Sequence, residues 1–326
     1  MKKKVFIIAE IGINHEGDIN KCLRLIKKAK LAGADAVKLQ TIDPQNNYVE
    51  KSKSFKIFKK GMLTINETKK AFKYAKRKKI KIFTTCGDIN TANWVEKLNP
   101  IAWKISSGLI HHIPLISQLS KFKRTMILST GIAKFEEVRE AIKTIKARGN
   151  KKIVVLQCTS NYPVKNENIN LNKINLYKKK FKCEVGFSDH SIGTDAAFLS
   201  VAAGATYLEK HFTLSRKRKG FDHKISLEPK EFKIMVKKIR LAEKIMGSEK
   251  LKLEKSILKA RNSLKRIIVA KSNINKGVKF SKENLSIKRG LNPKNCLPPK
   301  IFYKVLGKKS LKFIKKDSNL TYSHFR

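Results

Sequence analysis

The feature that most limits what this chain can become is an alternation. Eight short β-rich runs occur at Val5–Ile11, Ala36–Thr41, Ile80–Thr85, Trp103–Ser107, Thr125–Ser129, Ile153–Thr159, Val185–Ser188 and Thr206–His211. Helix-like stretches lie at Lys21–Leu31, Thr68–Lys78, Thr91–Leu98, Pro114–Leu119, Phe135–Arg148, Leu171–Lys180, Asp195–Ala203 and Pro229–Met246. Strands that alternate with helices pair in parallel through crossover units, and eight such units fit a closed (β/α)8 TIM barrel better than an open sheet. Leu171–Lys180 is expected to be the least regular helix, because Asn170, Asn172 and Asn175 are poor helix formers.

The alternation stops near Gly247. The expected organisation is a barrel domain over 1–247, a basic linker over 248–263 and a small β-rich domain over 264–326, where short β-like pieces alternate with turns. A unit that small buries little apolar surface and is expected to lean on a neighbour.

The net charge of +49 invites a nucleic-acid partner. However, the excess is 62 Lys against 12 Arg, spread over every helix face, with no aromatics interleaved for base stacking. The lysines read as a solvated surface, and no nucleic acid is expected. Five scattered cysteines, an odd number without a CxxC pair, fit thiols in a reducing cytoplasm. The apolar run after MKKK is broken at Glu10, which argues against a secretion signal, and no run reaches the length needed to span a membrane.

In a barrel of this kind the working site forms at the carboxyl ends of the strands. Those ends carry Glu10, Lys38, Gln40, Lys104, Ser107, Ser129, Tyr162, Ser188, Asp189, His190, Glu209 and His211. Lysines and hydroxyls around one rim can hold phosphate and carboxylate groups. His190 and His211 stand one strand–helix–strand step apart, so both imidazoles face the same rim and suit a divalent cation. His15 and His223 read as loop buttresses, and His111 and His112 have no evident role.

The segments EIGINHEGD, KLQ, KISSG, STG, CTSNYP, FSDH, LEKHFT and FDHKISLEP occur in that order, ahead of a tail containing IKRG and GLNP. This ordered set resembles the sialic acid synthase family (N-acetylneuraminate, legionaminate and pseudaminate synthases), with its C-terminal antifreeze-like (SAF) domain. The resemblance implies condensation of phosphoenolpyruvate with an N-acetylmannosamine-type sugar, giving a nine-carbon 2-keto sugar acid and phosphate. It implies a divalent metal, Mn2+ first with Mg2+ or Co2+ as alternatives, on His190 and His211. Enolpyruvate binding would fall to Lys38, Lys104, Ser107, Ser129 and Ser188, and sugar binding to Gln40, Tyr162 and Asp222. Glu10 would handle the reacting end of the sugar, and either Glu10 or metal-bound water would act as the base for the addition of water. Arg289 would be supplied by the tail of a second copy in a domain-swapped homodimer.

Some residues depart from the family pattern. Leu109 stands where many relatives have an acidic residue, and Ser160 where some have asparagine, so the sugar pocket is expected to differ. The FDHKISLEP segment points toward a sialic or legionaminic product rather than a pseudaminic one. Two other functions fit the same residues: a Schiff-base aldolase using Lys38 or Lys104, and a basic binding protein that keeps the barrel without catalysis.

Overall fold

The computed structural model describes residues 4–248, 250–289 and 295–325, with the side chains of Lys259, Asn262 and Ser263 left aside. The chain divides into two compact units, Met1–Ser248 and Glu249–Arg326.

The first unit is a closed barrel of eight strands: β1 (Phe6–Gly12), β2 (Ala36–Gln40), β3 (Lys81–Thr85), β4 (Ala102–Ile105), β5 (Thr125–Ser129), β6 (Ile153–Gln157), β7 (Glu184–Asp189) and β8 (Tyr207–His211). Every neighbouring pair runs parallel, and β1 closes the ring against β8. The expected strand positions agree to within a residue or two at each end. The expected helix near 171–180 forms over Asn172–Phe181; burial of Ile174, Tyr177 and Phe181 outweighs the poor propensity of its asparagines.

One region departs from expectation. The stretch after β2, where no helix is expected from sequence, folds into two helices, Pro44–Asn47 and Lys53–Gly61. Local chemistry explains both: Asp43 caps the first, which has proline in its opening turn, and Ser52 accepts from Phe55 N to cap the second.

The layering of the barrel interior positions the site. Ile8, Ala36, Phe83, Ala102, Ile127, Val154 and Leu156 form an apolar cluster inside the ring. Successive strand residues point to opposite faces, so the residue two steps further along points inward again. Those next inward residues are Glu10, Lys38, Thr85, Lys104, Ser129 and, beyond the end of β6, Cys158. The barrel is therefore oily below and charged above. Outside the ring a larger core, including Trp103, Phe187, Phe212 and Phe232, packs the strands against the helices.

The second unit has its own small core of Ile268, Ala270, Ile274, Phe280, Leu285, Leu297, Val305, Ile314 and Leu320. Its regular sheet is one antiparallel pair, β9 (Arg266–Ala270) and β10 (Leu285–Arg289). The stretch expected as linker includes a helix, Lys255–Leu264.

Candidate active site

Eleven of the twelve residues expected at the site line one cavity of about 70 Å³ at the carboxyl ends of the strands. They are Glu10, Lys38, Gln40, Lys104, Ser107, Ser129, Tyr162, Ser188, His190, His211 and Asp222, joined there by Ser106, Cys158 and the expected rim residue Glu209; Asp189, expected at the same rim, is not among the lining residues. The twelfth, Arg289, is exposed at the end of β10 in the second unit.

Four buried charges dominate the cavity. Lys38 Nζ lies 2.8 Å from Glu10 Oε1, and Gln40 Nε2 donates to the same oxygen at 3.0 Å. Lys104 Nζ lies 2.9 Å from Glu209 Oε1, which also accepts from Ser188 Oγ at 3.0 Å. The two pairs meet where Lys38 Nζ stands 4.0 Å from Glu209 Oε2. None of the four is more than 3% exposed. Charges this deep persist only when paired, and two ammonium groups with two carboxylates make the cluster formally neutral.

The two carboxylates are driven apart. Burial raises the Glu10 carboxyl to about 7, against the pull of Lys38 and with Glu209 repelling it. Burial also pushes Glu209 upward, but Lys104 and Lys38 outweigh it and hold that group at about 2. Glu209 is thus a fixed anion, while Glu10 can gain or lose a proton near neutrality. Its second oxygen, Oε2, is buried without a hydrogen-bond partner.

The two imidazoles form the other half of the site. Burial, followed by the neighbouring His211, lowers His190 to about 4; burial, followed by Lys38, lowers His211 to about 3. Both rings are neutral at ordinary pH. His190 Nδ1 lies 2.8 Å from the Thr159 carbonyl, which can only accept, so Nδ1 carries the proton and Nε2 keeps its lone pair. That lone pair faces the Tyr162 hydroxyl at 3.2 Å, and the Tyr162 ring stacks on His190 with centroids 4.3 Å apart. His211 Nδ1 is buried without a hydrogen bond; Asp222 Oδ2, 3.5 Å away, is too distant for one, and the neutral ring makes no true ion pair with it.

These residues fit a divalent ion. The ring centroids of His190 and His211 are 5.5 Å apart. With nitrogen about 2.1 Å from the metal, two rings sharing one ion have centres at most about 6.5 Å apart. The lone pair on His190 and the orphaned nitrogen on His211 suit such a ligand. Among the described residues, no group of three His, Cys, Asp or Glu side chains gathers as a metal cage. Two imidazoles would therefore leave most coordination positions open to water and substrate.

Two glycines shape the rim. Gly12 ends β1 with φ of +53°, where the register with β2 shifts, and a Cβ there would lie 3.1 Å from Glu10 Oε1. At Gly131 a Cβ would come within 2.1 Å of Ser160 Oγ, so only glycine lets the loops after β5 and β6 meet. Ser160 Oγ in turn bonds Ser107 Oγ at 2.9 Å. Leu109 packs against the barrel core and is not among the residues lining the cavity.

Some contributors were given no role by the sequence reading. Glu209 had a legible signal, since it lies two residues before His211 and shares its inward face. Asn14 had none: its Nδ2 donates to Phe212 O and Ser226 Oγ, and its Oδ1 accepts from Asp222 N, tying the first loop to the one that carries Asp222. His15 and His223 act as buttresses, His15 accepting from Gly17 N and His223 lying between Thr213 Oγ1 and Glu16 Oε1. His112 proves to be the N-cap of the helix Ile113–Lys121.

Comparisons with known proteins identify the family. The NeuB family model matches residues 25–251, and the SAF domain model matches 265–326. The chain is 37% identical to a pseudaminic acid synthase of Campylobacter jejuni, covering 99% of this chain and 97% of that one. It is 36% identical to an N,N'-diacetyllegionaminic acid synthase of the same species, covering 97% and 98%. These near-equal identities do not separate the legionaminic branch from the pseudaminic one. A crystal structure of a sialic acid synthetase from Leptospira borgpetersenii, in complex with citrate, superposes with a TM-score of 0.76 at 34% identity, covering 80% of this chain and 92% of that one. By these matches the chain belongs to the NeuB family and carries a SAF domain over residues 265–326.

Proposed function

We propose that this enzyme is a carbon–carbon bond-forming synthase that joins phosphoenolpyruvate to an N-acetylated amino sugar, releasing phosphate and a nonulosonic acid. One observation carries the reading: a pair of neutral imidazoles stands beside a buried, self-neutralised cluster of two lysines and two glutamates in a single cavity.

Lys38 and Lys104 take the carboxylate and phosphate of phosphoenolpyruvate, with Ser107, Ser129 and Ser188 donating hydrogen bonds. The buried Ser129 Oγ, which has no hydrogen-bond partner, is free for this. His190 and His211 would hold a divalent ion, with manganese the expected choice, which would supply Lewis acidity toward the sugar's aldehyde oxygen. Gln40, Tyr162 and Asp222 orient the sugar so that its aldehyde carbon faces the third carbon of the enolpyruvate. Bond formation there consumes the enol double bond and leaves the second carbon cationic; water adds to it, and that carbon becomes the ketone as its bond to the phosphate oxygen breaks, the two protons of the water ending on the former aldehyde oxygen and on the departing phosphate. Glu10, poised near neutrality with an unpartnered oxygen, accepts the proton that the water gives up.

A Schiff-base aldolase needs a neutral lysine amine. At Lys38 burial works against the ammonium form but Glu10 and Glu209 outweigh it and raise the group, whereas at Lys104 burial outweighs Glu209 and lowers it. Both amines are nonetheless paired with a carboxylate, at 2.8 and 2.9 Å, so borohydride is expected to trap no adduct. The proposal extends to assembly as a domain-swapped homodimer, in which a second copy offers the exposed Arg289 to the rim; a fully active monomer in light scattering overturns that part. Among the described residues no helix is long and apolar enough to cross a membrane, and a cytoplasmic setting is proposed with the function. No nucleic-acid partner is proposed.

The test is phosphate release from phosphoenolpyruvate with a panel of hexosamines. Turnover is expected with at least one N-acetylated sugar, to fall to background on chelation and to return with Mn2+. A folded sample that turns over no sugar with any divalent ion refutes the reading.

A further inference from the structure

Directly behind the two histidines, on the outer face of the barrel, lies an ion pair that the chemistry above does not use. Asp189 and Lys210 are register partners on β7 and β8, and both side chains are fully buried. Alternation along the strands explains their place. Ser188 and Glu209 point into the barrel, Asp189 and Lys210 point out between strands and helices, and His190 and His211 point in again. The pair thus occupies the layer immediately between two layers of site residues.

Its bonds reach both sides of His190. Lys210 Nζ donates to Asp189 Oδ2 at 2.8 Å and to the Ser191 carbonyl at 2.6 Å. Asp189 Oδ1 accepts from Ser191 N at 2.8 Å and from Ser191 Oγ at 2.6 Å. The residues before and after His190 are therefore both fastened to Lys210, which is itself covalently next to His211. An ion pair out of water adds little to stability compared with an apolar pair of similar size, so its use lies in fixing one arrangement. Here that arrangement is the spacing of two imidazoles.

We infer that Asp189, Lys210 and Ser191 are positioning residues that hold His190 and His211 at the separation a shared divalent ion requires. The inference rests on the metal-site reading above and deepens it. Hydrogen-bonded partners behind metal ligands commonly account for 10–100-fold in affinity, and an ion pair bridging both ligands through the backbone falls in that class.

The experiment uses Mn2+ as the probe, with free Mn2+ counted by electron paramagnetic resonance during titration of the full-length protein. Removing one partner would strand a buried charge, so the informative variant removes both, Asp189→Leu with Lys210→Met; Ser191→Ala is the milder companion. The double variant is expected to fold, to bind Mn2+ about 10–100-fold more weakly, and to leave the KM for phosphoenolpyruvate near its original value at saturating Mn2+. Ser191→Ala is expected to show a smaller loss in the same direction and serves alone if the double variant does not fold. Unchanged Mn2+ affinity in a folded variant overturns the inference while leaving the metal site intact. Failure of the unaltered protein to bind Mn2+ refutes the metal-site reading itself, and the inference with it.

Discussion

The two ends of the barrel present opposite ways of carrying positive charge. At the amino ends of the strands, near Thr125, Ile153, Glu184 and Thr206, an open depression of about 650 Å³ is lined by Lys146, Lys151, Lys152, Lys178 and Lys182. At the carboxyl ends a cavity of about 70 Å³ holds only two lysines. The larger hollow has more charge, yet its lysines are exposed and water screens them. The smaller one has buried ammonium groups, each fixed against a carboxylate in surroundings that strengthen every electrostatic contact. Size and charge count point to the wrong end; burial and pairing point to the chemistry.

This contrast can be broken most sharply at Lys104. Replacing it with methionine removes one member of a buried pair and leaves Glu209 without its main partner. Loss of turnover is expected, with about 3–5 kcal/mol lost in denaturant unfolding. A stability change near zero would mean that water reaches the cluster freely and that the two ends are alike.

Glu10→Gln sharpens the comparison without shrinking the side chain. If the carboxyl moves a proton, kcat is expected to fall by about 10²–10⁴-fold, while near-ultraviolet circular dichroism reports an intact fold. A loss confined to KM would reassign Glu10 to binding alone.

The smallest effect is expected at the open end. Lys151→Ala combined with Lys152→Ala should change stability by no more than about 0.5 kcal/mol and leave the KM for phosphoenolpyruvate unaltered. A several-fold rise in KM would show that the lower lysines take part in gathering the anionic substrate.

Much of this was legible in the sequence, for identifiable reasons. The strands announced themselves through β-branched runs such as Ile153–Gln157, which are buried on both faces. The histidine pair followed from strand spacing taken together with the lysines and serines at the other strand ends. The helices Pro44–Asn47 and Lys53–Gly61 were missed because both are short and mostly polar, so their caps were the only signal and periodicity gave none. Asp222 sits on a long loop after β8, where its place depends on bonds such as the one from its backbone N–H to Asn14, which no pattern in the sequence encodes. Glu209 was placed at the rim by its strand position but given no role, because its pairing with Lys104 across the barrel depends on the closed ring rather than on any local pattern.

The layering of the barrel interior has a consequence for how such a protein can diversify. Ile8 and Glu10, Ala36 and Lys38, and Ala102 and Lys104 are each two steps apart on one strand. Inserting or deleting a single strand residue would send the charged member into the oily layer outside the ring and an aliphatic one into the reaction chamber. The core machinery is thus locked to the weave of the sheet. New sugar preferences have room to arise only in the loops above it, around positions such as Leu109, Ser160 and Asp222, where length and composition can drift without disturbing that weave.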